Sequence, residues 1–197
     1  ADEGDRGSYP AGFPVLPPVP AARYGDAAFA ALEDEAVFGR TWLMVAHADE
    51  LREPGAYRQV TQLGRPVVVV RDHDGRIRAF YNTCKHRGAA LVADESGNTG
   101  RRFTCPYHNW VYALDGELVG FPDANNFSDL DRDCLALTPI RCETWGPLVF
   151  VNLDPHAGPL ADHLGPVAAD LSELGAMDGS LHLLTHRERD VPVNWKV

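Results

Sequence analysis

The sequence is short of several features, and each shortage excludes a class of protein. Basic residues are outnumbered, since 18 Lys and Arg stand against 28 Asp and Glu and give a formal net charge of −10. A nucleic-acid partner would need a basic face for its phosphates, so we predict no nucleic-acid partner. No apolar run approaches the roughly 20 residues that a membrane helix requires, so we expect no membrane partner either.

Cysteine is also scarce, with only 4 in the 197 residues. The first residues, ADEGDRGSYP, have neither the basic nor the apolar region of a signal peptide, so a cytoplasmic location is the expectation. Thiols stay reduced in the cytoplasm, which favours free thiols or metal ligands over a disulfide framework. Small molecules and other proteins remain as partners.

The N-terminal part of the chain divides into two predicted segments. Residues 1–24 are rich in proline and lack periodicity, which predicts an extended arm. Residues 25–40 contain a predicted helix from the N-cap Asp26 to about Phe38, with the acidic residues Glu33–Glu35 in solvent. Its predicted apolar face contains Phe29, Leu32, Ala36 and Phe38.

Residues 41–155 change to short β-rich runs separated by turn signals, such as RPVVVVRD, RIRAFYNT and PLVFVNLD. This texture predicts a mainly β fold, a small antiparallel sandwich or barrel with a leading and a trailing helix. Residues 156–197 begin with the trailing helix, and residues 180–197 read as a strand and the beginning of another element. The trailing helix is predicted to place on one face Leu160, Leu164, Val167, Leu171 and Leu174.

Two spaced motifs carry the chemistry. Cys84 and His86 stand one residue apart, and Cys105 and His108 follow as a C-x2-H pair. Thiolate and imidazole are the protein ligands that soft and borderline metals prefer, and four of them complete a tetrahedral site or hold two irons.

The distribution of these ligands distinguishes between metals. Zinc fingers usually pair two cysteines on one element and two histidines on another, whereas each loop here contains one of each. A Rieske [2Fe-2S] centre uses two cysteines on one iron and two histidines on the other, so mixed loops would each reach both irons. A structural zinc-binding module stays open as the alternative.

The motifs CKHRG and CPYHNW resemble the paired cluster-binding motifs of Rieske proteins. The resemblance is to the α subunits of Rieske non-haem iron oxygenases, the aromatic-ring-hydroxylating dioxygenases, and covers about Thr41 to Asp154. It implies a Rieske domain over 41–155, with a [2Fe-2S] cluster on the four ligands Cys84, His86, Cys105 and His108. Two positions depart from the usual pattern. Lys85 stands in place of Arg, and Asn109 replaces a glycine, which suggests an altered loop conformation.

The same resemblance implies an electron relay. Single electrons would come from a ferredoxin or an NAD(P)H-dependent flavin reductase, and would pass to a mononuclear Fe(II) that activates O2 to hydroxylate an organic small molecule, which is expected to be aromatic. The family pattern is a homotrimer or α3β3 assembly, with His108 or His86 contacting a carboxylate of the neighbouring subunit.

The end VPVNWKV resembles the start of the family's α+β catalytic domain, so residues 156–197 are predicted to enter that domain. No catalytic-iron ligand is assigned, since the family's ligands normally lie downstream of Val197. A separate Rieske-type electron-transfer protein without an oxygenase centre is the remaining alternative.

Other candidate residues are assigned no role. Cys134 and Cys142 lack histidine neighbours and are predicted to be small hydrophobes in or near strands. His182, His186 and Asp190 have the types of a two-His-one-carboxylate iron site, but a solvated strand is the commoner explanation.

Overall fold

The computed structural model describes residues 18–61, 63–127, 129–173, 175 and 177–197. The predicted arm before Pro18, and Leu174 of the trailing apolar face, lie outside these ranges. The end of the arm is a 3-10 turn, Ala21–Tyr24, instead of an extended segment. It closes because the N–H of Arg23 donates to the Pro20 carbonyl at 3.0 Å.

Antiparallel strands dominate the described residues and confirm the predicted mainly β class. One sheet has seven strands in the order β1-β10-β9-β4-β3-β2-β5, and a second has three strands in the order β6-β7-β8. The strands are β1 Leu43–His47, β2 Ala56–Val60, β3 Val67–Arg71, β4 Ile77–Tyr81, β5 Ser96–Asn98, β6 Arg102–Thr104, β7 Val111–Ala113, β8 Leu118–Gly120, β9 Pro139–Trp145 and β10 Leu148–Asn152. The sequence patterns did not single out β1 or β5.

The interior strand β3, which lies between β4 and β2, contributes apolar side chains to both faces of the large sheet. Val67, Val68, Val69 and Val70 are all 0% exposed, and successive side chains of a strand point to opposite faces. Val67 and Val69 pack in one apolar cluster, while Val68 and Val70 pack in another that also contains the two motif cysteines. The continuous apolar run therefore marks a strand covered on both faces, and one of those faces carries the site.

The leading helix covers the predicted residues but changes type along its length and is turned differently from the prediction. α1 spans Ala27–Glu33 and continues as a π-helical turn, Asp34–Phe38. The predicted N-cap is observed, since the Asp26 carboxylate accepts from the N–H groups of Ala28 and Phe29. The predicted faces are wrong in part: Leu32 is 61% exposed, while Glu33 is only 8% exposed.

The trailing segment differs most from the prediction. Two short helices, α2 Leu160–Leu164 and α3 Val167–Glu173, replace the single helix. The break falls at Gly165, which has φ +50°, and at Pro166, which lacks the N–H that a continuous helix needs. The predicted strand after residue 180 is absent, because residues 180–190 form no backbone ladder.

Among the described residues, no helix combines the length and the apolar character needed to cross a membrane.

Candidate metal centre

The first motif loop, Cys84 to Ala89, follows β4 and closes on itself. The Cys84 N–H donates to the Ala89 carbonyl at 2.8 Å, and the Gly88 N–H donates to the Cys84 carbonyl at 2.9 Å. Gly88 has φ +73°, in the left-handed region that glycine enters without a steric penalty. The loop therefore turns sharply and leaves His86 exposed at its crest.

The second motif loop, Cys105 to Trp110, joins β6 to β7 and repeats the same turn. The Cys105 N–H donates to the Trp110 carbonyl at 2.8 Å, and the Asn109 N–H donates to the Cys105 carbonyl at 3.0 Å. Asn109 has φ +54° and occupies the position equivalent to Gly88. Asparagine enters the left-handed region more readily than most other side chains, so Asn109 can take the same turn geometry as Gly88.

The two cysteine thiols lie together in the core beneath the loops. Cys84 is 2% exposed and Cys105 is 1% exposed, and the thiols are within hydrogen-bonding reach of each other. Burial raises the pKa of the Cys84 thiol, although a hydrogen bond with the Tyr112 hydroxyl opposes the shift. Metal binding to these thiols therefore requires the release of protons.

The rings of the two motif histidines are in contact with each other. The ring centroids of His86 and His108 are 4.6 Å apart at an interplanar angle of 71°. Trp110 stacks on His86 with a centroid distance of 4.9 Å and an angle of 7°, which fixes the plane of that ring. Burial lowers the pKa of His108, and the charges of His86 and Arg87 lower it further, which favours the neutral imidazole that a metal ligand requires.

One buried atom indicates that a partner is missing from this arrangement. The Nδ1 atom of His108 is buried and makes no hydrogen bond. A buried polar atom without a partner costs free energy, and such atoms in native structures often await an ion or ligand. The half-buried His108 therefore presents an unpaired nitrogen beside His86, which fits ligation of iron.

The donor set matches a two-iron cluster in number. Within the described ranges, no group of three or more His, Cys, Asp or Glu side chains is arranged to hold a metal ion. A [2Fe-2S] cluster of the Rieske type takes two protein ligands on each iron. The cysteine pair and the histidine pair offer that number.

Two supporting residues escaped the sequence patterns. Asn82 is 1% exposed, donates to the Val92 carbonyl at 2.8 Å, and accepts from the N–H groups of Leu91 and Val92. It ties the chain entering the first loop to the chain leaving it. A lone asparagine after a strand has no motif that would have announced this role.

Tyr112 is the second supporting residue, and it is 0% exposed. Its oxygen accepts from the Lys85 N–H at 3.0 Å and lies 3.3 Å from the Cys84 sulfur. Because the oxygen accepts from an amide, its own hydrogen is available to the sulfur. Burial and the nearby Cys84 raise the pKa of Tyr112, so the hydroxyl stays protonated.

An apolar groove of about 690 Å³ borders the histidines. Trp110 leans on Phe121 with ring centroids 5.2 Å apart, and Phe121 meets the exposed ring of Phe127 at 6.1 Å. Tyr107, between the ligands of the second loop, is 59% exposed. The histidine edge of the site thus opens on a surface rich in aromatic rings.

The remaining cysteines lie apart from the centre. Cys142 lies half-buried in β9 as predicted, and burial raises its pKa to about 12. The prediction for Cys134 is wrong, because this residue is exposed in a 3-10 turn, Asp133–Leu135. Its thiol donates to the Asp131 carboxylate at 3.0 Å, a contact that solvent allows and a buried strand would not.

The C-terminal histidines contact carboxylates of two different residues, and within the described part of the chain they form no iron site. His182 Nδ1 lies 3.3 Å from the Asp49 carboxylate, and His186 Nδ1 lies 3.1 Å from the Glu50 carboxylate. The solvated strand predicted for them is absent, because each ring binds a side chain from the turn that follows β1.

Comparison with known proteins supplies the family. The model of the Rieske [2Fe-2S] domain family matches residues 41–139, which contain both motif loops. The chain is 36% identical over 178 residues to the carnitine monooxygenase oxygenase subunit of Escherichia coli (strain K12), covering 90% of this chain and 47% of that protein. It is 35% identical over 176 residues to the benzene 1,2-dioxygenase subunit alpha of Pseudomonas putida, covering 88% of this chain and 39% of that protein.

Solved structures agree with this assignment. A quaternary ammonium Rieske monooxygenase in complex with an inhibitor superimposes with a TM-score of 0.75 at 33% identity, covering 79% of this chain and 44% of that one. Naphthalene 1,2-dioxygenase from Rhodococcus sp. gives a TM-score of 0.74 at 36% identity, covering 79% and 36%. The chain spans less than half the length of these relatives. It belongs to the Rieske [2Fe-2S] domain family and is homologous to the α subunits of Rieske oxygenases.

Proposed function

We propose that this chain is the electron-relay part of a Rieske oxygenase α subunit. It accepts single electrons from a ferredoxin or an NAD(P)H-dependent flavin reductase and passes them to a mononuclear Fe(II) that activates O2. Residues 41–155 form the relay domain in this proposal, and residues 156–197 lead into a catalytic domain. Homology to monooxygenase and dioxygenase subunits supports an oxidoreductase role.

The observation that carries the proposal is that two matching loops each present one cysteine and one histidine, with both cysteines in one apolar cluster and the two histidine rings 4.6 Å apart. Cys84 and Cys105 contribute buried sulfurs, and His86 and His108 contribute ring nitrogens. When bound there, a [2Fe-2S] cluster supplies reversible one-electron transfer. The core around the thiols excludes water from the sulfur side.

The histidine side is where electrons would enter or leave. His86 is exposed and His108 is half-buried, so their outer edges face partners, while the sulfurs do not. We propose that one of these edges contacts a carboxylate of a neighbouring subunit in a homotrimer or α3β3 assembly. A hydrogen bond from a ligand imidazole to a carboxylate also fixes the ring and its tautomer.

The substrate is an organic molecule, and two classes are candidates. An aromatic substrate follows from the family expectation and from the similarity to the benzene dioxygenase subunit. A quaternary ammonium substrate is supported by the similarity to carnitine and choline monooxygenases. Incubation of the complete gene product and its reductase with benzene, carnitine or choline distinguishes the classes by the product formed.

The ligand assignment is tested by single alanine variants. Each of Cys84→Ala, His86→Ala, Cys105→Ala and His108→Ala is expected to lose the visible absorption of the cluster and its reduced-state EPR signal. Loss follows because two protein ligands per iron leave none to spare. Iron, sulfide and zinc analysis of the purified chain accompanies the spectra.

The remaining cysteines give matched controls. Cys134→Ser and Cys142→Ala remove thiols outside the loops, so both variants are expected to keep full cluster absorption. A ligand variant with an unchanged spectrum would remove that residue from the site. Stoichiometric zinc and the lack of an EPR signal would contradict the electron relay and favour a structural zinc-binding module. A cluster that exchanges electrons in a complete gene product without oxygenase activity would favour a separate electron-transfer protein.

A further inference from the structure

A second polar site lies outside the motif loops, where the leading helix meets the C-terminal end. The ammonium of Lys196 is 2.7 Å and 2.8 Å from the two carboxylate oxygens of Glu33. Three aromatic rings surround the same nitrogen, with centroids at 5.6 Å for Tyr24, 5.5 Å for Phe29 and 5.1 Å for Trp195. One cation is thus held by a carboxylate and three ring faces.

The ion pair in this site is largely withdrawn from water, although the rings of Tyr24 and Trp195 are partly exposed. The side chain of Lys196 is 18% exposed and that of Glu33 is 10% exposed. A cation near an aromatic face is attracted more strongly when it is desolvated, and a partly buried carboxylate needs a paired charge. Lys196 satisfies both requirements, so the contact differs from an exposed surface ion pair.

The leading helix is shaped to form this site. Phe29 and Glu33 are four residues apart and therefore lie on the same helix face. The π-helical turn then closes with the Gly39 N–H donating to the Asp34 carbonyl at 2.8 Å. This wider turn places Phe38, five residues after Glu33, against the edge of Trp195, with ring centroids 5.4 Å apart.

The C-terminal end is shaped to complement it. The Asn194 side-chain amide donates to the Tyr24 carbonyl at 3.1 Å, and its oxygen accepts from the Lys196 N–H at 3.1 Å. The Val197 N–H donates to the Asn194 carbonyl at 3.0 Å, which closes a turn. This turn directs Trp195 and Lys196 toward the leading helix.

We propose that Tyr24, Phe29, Glu33 and Trp195 form an ammonium site that binds the side chain of Lys196. The site, here called the ammonium cage, fastens the C-terminal end to the leading helix. Lys196 acts as a positioning residue for the chain around it. None of the cage residues belongs to the motif loops, so the proposal stands apart from the electron relay.

Residue choice supports a site for a compact cation. The sequence has only two lysines, Lys85 and Lys196, among its 18 basic residues, and all the others are arginine. A lysine ammonium is a compact point charge that three rings can enclose, whereas a guanidinium is planar and favours a flat bidentate partner. One of the two lysines occupies the position where the rings converge.

The scarcity of lysine makes a selective test possible. In residues 1–197 produced with ¹³C only at the lysine ε carbon, NMR should show two ε signals. The Lys196 ε signal, identified by its loss in Lys196→Arg, is expected upfield of Lys85 because of ring currents from the cage. Phe29→Leu is expected to move it toward the position of the exposed Lys85. Equal ε shifts for the two lysines in the unaltered protein would overturn the proposal.

Chemical rescue tests the ligand class directly. Lys196→Ala is expected to lower the thermal unfolding midpoint, and propylammonium is expected to restore most of the loss by filling the cage. The uncharged isostere 1-propanol, at matched ionic strength, is expected to restore none. Addition of Glu33→Gln to Lys196→Ala is expected to abolish rescue.

Other variants guard against a trivial result. Lys85→Ala, at the other lysine, is expected to show no propylammonium effect. Lys196→Met keeps the apolar stem, so a midpoint equal to that of the unaltered protein would show that the charge contributes nothing and would overturn the proposal. Equal recovery with propanol would also overturn it. Cluster absorption, recorded on every variant, separates failure of the cage from failure of the relay.

Discussion

The motif loops and the C-terminal segment, residues 177–197, both lack regular secondary structure, yet they are held in opposite ways. Each motif loop closes through backbone bonds between residues five positions apart, such as Cys84 to Ala89. The C-terminal segment is held by side chains that are distant in sequence: the Leu183 N–H donates at 2.8 Å to the Asp49 carboxylate, 134 positions away. The loops are therefore specified locally, whereas the segment depends on the completed fold.

The charges at the two places differ as well. The side chains beneath the loops are apolar, and the two motif cysteines are buried among them. Beneath the segment lies Arg58, which is 5% exposed and pairs with Glu50 at 2.8 Å and with Glu188. His186 binds both of these carboxylates, each at 3.1 Å. The stability of the loops should therefore depend on burial, whereas the attachment of the C-terminal segment should depend on pH and salt.

Breaking the local support of the first loop should have the largest effect. Asn82→Ala removes one carbonyl partner and two N–H partners inside the core. Each buried group left unpaired costs about 1–3 kcal/mol, so we expect a loss of about 3 kcal/mol or more in the free energy of unfolding. Urea denaturation of the chain measures this loss, and the cluster should be lost at lower urea concentration.

Asn126→Ala, at an exposed position in a 3-10 turn, is the matched control and should change the free energy of unfolding by less than about 0.5 kcal/mol. Equal effects of the two substitutions would mean that the buried hydrogen bonds of Asn82 do not support the loop.

The candidate ligands were easier to predict from the sequence than the residues that support the loops. Spacing singled out Cys84, His86, Cys105 and His108 as candidate ligands, because each cysteine lies within one turn of its histidine. The loop conformation at Asn109 could not be predicted, since the sequence does not reveal that this asparagine takes the left-handed geometry of Gly88. The role of Tyr112 could not be predicted either, because its hydroxyl contacts Cys84, which lies 28 positions away in the sequence.

The fold divides in the same way. Apolar runs such as β3 predicted their strands because burial on both faces leaves a continuous signal. The strand β5, Ser96–Asn98, escaped because it is exposed and contains glycine. The burial of Glu33 could not be predicted from the helix alone, since its partner Lys196 lies 163 positions away. Long-range pairs of charges leave no periodic pattern.

Tyr112→Phe tests the support of the first motif loop by a single hydroxyl, and its effect on stability should be smaller than that of Asn82→Ala. The ring stays in the core, but the Lys85 N–H loses its acceptor and the Cys84 sulfur loses a donor. We expect a loss of about 1–2 kcal/mol in the free energy of unfolding. The reduction potential should fall as well, because hydrogen bonds to the sulfurs favour the reduced cluster.

Tyr57→Phe is the control for that variant, since Tyr57 is buried in the same apolar cluster. Its reduction potential, measured by redox titration of the visible spectrum, should equal that of the unaltered protein. An unchanged potential in Tyr112→Phe would show that its hydroxyl does not donate to the sulfur.

The smallest effect is expected at Asp49, where pH should loosen the C-terminal segment and leave the loops in place. The hydrogen bond from the Leu183 N–H lowers the pKa of the Asp49 carboxyl, burial opposes this shift, and Arg52 and His182 lower the pKa further. A depressed pKa means that the contact stabilises the segment above the ordinary value of about 3.9, and that this contribution is lost as pH falls below it. NMR titration of the Leu183 amide should therefore show a midpoint below about 3.9, while the Gly88 amide should not follow it.

In Asp49→Asn the neutral side chain still accepts from Leu183, so the amide should lose this titration. A midpoint at or above the ordinary value would mean that Asp49 does not hold the segment by its charge.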